Sequence, residues 1–127
     1  MKRIIYTLAL LLLVACGTHE DQKILNATDS LMAERPDSAL KLLDGMKAVG
    51  QMGEEGVMHY AWNRAMAHYR LGQSLAEDTL TLDAVRYYER RQKVKGAEGS
   101  LLAAWYLHWT NRDDEALREL DRAMRNG

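Results

Sequence analysis

From residue 22 onward, apolar residues return every three or four positions, and no stretch alternates apolar and polar residues as a half-buried strand does. That period confines the chain to helices. Helix breakers then divide it. Glu34-Arg35-Pro36-Asp37 ends one helix and starts another, because proline cannot continue a helix but suits the first turn of the next. Gly50 to Gly53, Gly72, Gly96 and Asn111-Arg112-Asp113 make the later breaks. The pattern predicts six helices, over about 22–34, 37–48, 54–72, 78–94, 97–110 and 113–125. A chain of 127 residues makes one domain of ordinary size.

The first residues read differently. Lys2 and Arg3 precede an uncharged apolar run from Ile4 to Ala15. A membrane span needs roughly 20 such residues, so this run suits the core of a secretory signal instead. It ends Leu13-Val14-Ala15-Cys16, which resembles the bacterial lipobox. That resemblance implies cleavage before Cys16, a diacylglycerol on its sulfur and an acyl chain on its new amine. Several acyl chains anchor firmly where one alone is marginal. The expected organisation is a signal peptide over 1–15, a lipidated Cys16 with a tether over 16–21, and a helical domain over 22–127. Gly17, where inner-membrane lipoproteins often carry Asp, leans the destination toward the outer membrane, on its periplasmic or exposed face. Cys16 is the only cysteine, so there is no internal disulfide and no multi-cysteine metal site.

The helix pairs carry a family resemblance. Ala103, Ala104 and Leu107, then Ala116, Leu120 and Ala123, are similar to the small-and-bulky pattern of a tetratricopeptide repeat. Ser100 stands where the family prefers Trp, and Asn111 where it prefers Gly. Trp62, Ala65, Met66 and Tyr69, followed by Ala84 and Tyr88, repeat the pattern with a longer loop between the helices. Ala39, Leu43 and Met46 fit it in the first pair. The run Glu34 to Asp44, with Ala84 to Arg90, resembles a Bacteroidetes group of helical-repeat lipoproteins. The fold this implies is all-α, a right-handed superhelical array of three antiparallel helix pairs.

Catalytic patterns are absent from the sequence. There is no HExxH, GxSxG or phosphate-cradling glycine loop. His59 and His68 lie about 180° apart around one helix and cannot share a metal. Glu54-Glu55 and Asp113-Asp114-Glu115 stand at helix starts, where negative charge complements the dipole. The expectation is a protein that is not an enzyme, with no metal and no cofactor.

The family resemblance implies a concave groove lined by the first helix of each pair. Its positions fall on Tyr60, Asn63 and Arg70 in the middle pair, and on Glu98, Leu101, Trp105, His108 and Trp109 in the last. Trp105 and Trp109 share a helix face, and such aromatics form binding hot spots. A register shift of one residue exchanges core and groove for both. Arg86, Arg90 and Lys93 form a basic stripe, read either as a solvated face or as a contact with anionic lipid. The sixth helix carries Ala116, Leu117, Leu120, Ala123 and Met124 with no further helix to cover them, so the C-terminal edge is expected to meet another protein or a second copy. The net charge of −1 and the export signal argue against nucleic acid. The function expected is a membrane-anchored adaptor binding through groove or edge. The alternative is a surface lipoprotein that binds glycan or peptide ligands for uptake.

Overall fold

The computed structural model describes residues 19–91 and 96–126, and every regular element among them is a helix. Helix α1 covers 19–31. Then come α2 (Pro36–Asp44), a 3-10 turn (Val49–Gln51), α3 (Gly53–Arg70), α4 (Thr81–Arg91), α5 (Gly96–Trp109) and α6 (Asp113–Asn126). None of the described helices is long and apolar enough to cross a membrane. The expected signal peptide, Cys16 and Lys93 lie outside the described residues.

The helix ends show which local forces won. Pro36 opens α2 as its fixed φ suggests. The helix stops at Gly45, short of the expected 48, because the Asp21 carboxylate accepts the N–H groups of Lys47 and Ala48 at 3.4 and 2.7 Å. The tether boundary expected at residue 22 therefore moves: residues 19–21 are helical and Asp21 is buried. Helices α3 and α5 end alike. Gly72 (φ 69°) and Asn111 (φ 63°) take the left-handed conformation. Each is followed by a residue whose N–H reaches back five positions, Gln73 to His68 and Arg112 to Leu107, both at 2.8 Å. This pair of bonds satisfies carbonyls the helix end leaves open.

The loop over 71–80 is longer than a tight turn, and the structure holds it at two points. Leu75 is fully buried. Asp78 accepts from His68 Nδ1 at 2.7 Å, and its backbone carbonyl accepts from Thr81 Oγ1 at 2.6 Å. Helix α4 consequently begins at Thr81 rather than at 78.

Packing follows chain order. Each helix from α2 to α6 lies on the next, and α3 also touches α5. Helix α1 joins α3 through Asn63, whose amide donates to Thr28 Oγ1 at 2.9 Å and to Asp29 Oδ1 at 2.7 Å. The core runs from Met32 and Ala39 through Trp62 and Ala65 to Val85, Leu102 and Ala103. Trp62 meets Tyr88 edge-on at 5.2 Å. Small residues permit the close approach. A Cβ on Gly99 would stand 3.3 Å from Val85 Cγ1 and 3.7 Å from the Trp62 ring, and Ala65, Ala84 and Ala103 are fully buried.

Candidate functional site

Helix α5 is apolar almost all round, so burial cannot take every face. Leu102, Ala103 and Leu107 go inward. Leu101, Trp105 and His108 return at i, i+4 and i+7 on another face. Helix α6 is the opposite case, strongly charged with a narrow apolar stripe. Ala116 packs against Ala104 and Leu107, with Leu120 beside them. Leu117 and Met124 stay outside, 65% and 76% exposed. Between the two helices runs a groove of about 510 Å³, with Leu101, Trp105 and His108 on the α5 side, Leu117 and Leu120 on the α6 side, and Tyr69 among its lining residues.

An aromatic chain stiffens the α5 wall. Trp105 meets Tyr69 edge-on at 5.7 Å and Trp109 edge-on at 5.9 Å. Its indole N–H donates to the Gln73 carbonyl at 3.2 Å. The half-buried Trp105 is therefore neither core nor free surface but a fixed wall, while Trp109 is 38% exposed. The groove's polar chemistry is one pair, His108 Nδ1 and Asp113 Oδ1 at 2.9 Å.

The other expected groove residues fall elsewhere. Arg70 and Glu98 are exposed and line a separate depression of about 350 Å³, with Asp29 from α1, Met32 from the turn after it and Met66 from α3. Asn63 borders it too, yet is only 4% exposed. There α1 lies over that face of α3, and the amide is engaged by Thr28 and Asp29. Tyr60 lies apart from the other expected groove residues. It lines a smaller cavity of about 180 Å³ with Arg64 and the segment from Glu77 to Thr81. It sits there because the long loop folds back onto that side of α3, where Arg64 reaches Asp78 at 3.6 Å and also bonds Asp44.

Within the basic stripe, Arg86 is held by carboxylates. Arg86 bonds both Glu89 oxygens at 3.1 Å and Glu119 across on α6. The Glu119 hydrogen bond, opposed by burial, holds its guanidinium above the ordinary arginine value. Arg122 completes the network by reaching Glu89 at 3.2 Å. Arg90 is exposed. Arg91 stacks over the Tyr87 ring at 3.9 Å.

Sequence reasoning placed Tyr69 among the repeat's core positions and treated groove and C-terminal edge as alternatives. In the structure Tyr69, the α5 wall and the α6 stripe bound one groove. The spacing of Leu117, Leu120 and Met124 was visible; the position of Leu117 and Leu120 beside Leu101 and Trp105 depends on how α5 and α6 cross. Compared with known proteins, the chain matches no family model, no curated protein and no solved structure.

Proposed function

We propose that this chain is a lipid-anchored interaction protein of the cell envelope, built of tetratricopeptide-like helix pairs, whose work is to hold a helix of a protein partner in the α5/α6 groove. The observation that carries the reading is the groove itself: rigid aromatic walls on one side and an exposed apolar ridge on the other. Contiguous exposed apolar surface of this kind marks an interaction site. An amphipathic helix would place its i, i+3 and i+4 side chains between Trp105 and Leu117, with those two as the dominant anchors. A glycan asks for several convergent polar groups, and the groove offers one histidine and one aspartate already paired with each other.

Three features support the repeat-like arrangement. Helix α3 touches both α1 and α5, as first helices of successive pairs do. Matching left-handed residues close α3 and α5. Small buried residues sit on the first and second helices alike. The lipobox-like Cys16 supports the anchor, with the outer membrane as the proposed location. The mechanism is binding rather than bond chemistry.

Photo-crosslinking in cells tests the reading. A photoreactive residue at Leu117 should give a discrete protein adduct, and one at the exposed Lys41 on α2 should not. Equal labelling from both positions, or none from Leu117, would count against the groove. Cys16→Ser should abolish incorporation of labelled fatty acid; retained label would overturn the anchor.

A further inference from the structure

We infer that the occupant of the α5/α6 groove is α6 of a second copy of this chain, the two α6 helices running antiparallel about a twofold axis, an assignment that rests on the groove being an interaction surface. A twofold contact requires that one face carry both halves of the fit. This face does. Leu117 lines the groove, and Leu117 and Met124, one heptad apart on α6, are the two most exposed large apolar residues among those described. Asp113, Leu117, Leu120 and Met124 follow one another at steps of four, three and four, the spacing of a seam between paired helices.

Charge chooses the partner and its direction. Along the solvent side of that seam stand Asp114, Arg118, Asp121 and Arg125, all exposed. Their order is acid, base, acid, base. Reversed, it becomes base, acid, base, acid. An antiparallel second copy therefore sets Asp114 against Arg125 and Arg118 against Asp121, twice over by symmetry. A parallel copy in register would set like against like. The midpoint of the four charges lies one residue from the midpoint of Leu117 and Leu120, so facing charges are offset by two residues, about 3 Å along the helices, which arginine side chains span. A flank of one sign would point to a partner of the other sign; an alternating flank complements itself. Antiparallel helix dipoles favour the same direction. Within one copy Arg125 already reaches Asp121 at 3.0 Å, so pairing exchanges an exposed local contact for one across the interface.

Cysteine crosslinking of the full chain in intact cells tests this. Leu117→Cys with a short bismaleimide should give an adduct of twice the chain's mass. The parent chain, with Cys16 alone, sets the background, and Lys41→Cys is the surface control. Asp114→Arg with Asp121→Arg makes the flank wholly basic and should cut the homodimer adduct about tenfold, since each 1.4 kcal/mol is tenfold in affinity. Arg118→Asp with Arg125→Asp makes it wholly acidic and should do the same. Coexpression of the two, each with its own tag, should restore a mixed dimer. Circular dichroism of each variant checks that α6 still forms. An undiminished adduct from the all-basic copy, or no mixed dimer, overturns antiparallel self-pairing. An adduct to a chain of different mass in place of the homodimer overturns the second copy but leaves the groove reading standing. No adduct above the Cys16 background overturns both.

Discussion

At the scale of single residues, the groups that tie distant segments together are polar or isolated, and such groups carry weak sequence signals. Asp21 reads as part of an acidic tether, yet it satisfies two N–H groups more than twenty residues away. Leu75 stands mid-loop with no period to announce it, and it is fully buried. Leu75→Ala should lower unfolding free energy by about 2–5 kcal/mol, measured by urea denaturation. A loss below 1 kcal/mol would mean the loop is not held by that side chain. Tyr88 predicts a pH dependence. Burial, with Asp29, Tyr87 and Glu55 adding to it, pushes its phenol from the ordinary 10.0 up to about 12. The folded chain therefore keeps this proton more tightly than the unfolded chain does. Its stabilising contribution is complete below pH 10 and is lost as pH rises through about 12. Tyr88→Phe should flatten the fall in Tm between those values; an unchanged slope would assign the alkaline loss to other groups.

At the scale of elements, helices were legible and their ends were legible where a backbone rule decided them. The expected α3, α5 and α6 agree with the structure to within about two residues. Glycine at 72 and asparagine at 111 both tolerate positive φ, and both adopt it. Gly72→Ala and Asn111→Ala should each cost about 1 kcal/mol, whereas Asn111→Gly should cost nothing, as read from denaturation midpoints. Equal losses for Asn111→Ala and Asn111→Gly would show that the asparagine side chain, not its backbone, matters there. Helix α2 was expected too long, and α4 was expected to start too early, for one shared reason. Their ends are set by partners from elsewhere in the chain: Asp21 for the first, and the clasp of Asp78 with His68 for the second.

At the scale of the whole molecule, stability should be graded along the chain. The main core draws on α2 to α5, while the outer part of α6 has Leu117 and Met124 in solvent and is joined to α4 mainly through Arg86, Glu89, Glu119 and Arg122. Hydrogen exchange in the monomeric state should be slowest in the middle of α3 and fastest, among the helices, in the last turns of α6. Uniform protection would contradict a graded core. By itself the sequence determined the all-α class, the number of helices among the described residues and most of their faces, because a period of three to four residues and the punctuation of Pro36, Gly72 and Asn111 act locally. It also placed Leu101, Trp105 and His108 among five expected groove positions on α5, and Leu117 and Leu120 within a five-residue apolar stripe on α6. Only the tertiary structure decided that these two faces form one groove, that Tyr60 lies apart from it, that Asn63 is closed by α1, and that Arg86 is neutralised across two helices. Each of those outcomes depends on which helix lies over which, and a helical period says which residues share a face but not what that face meets.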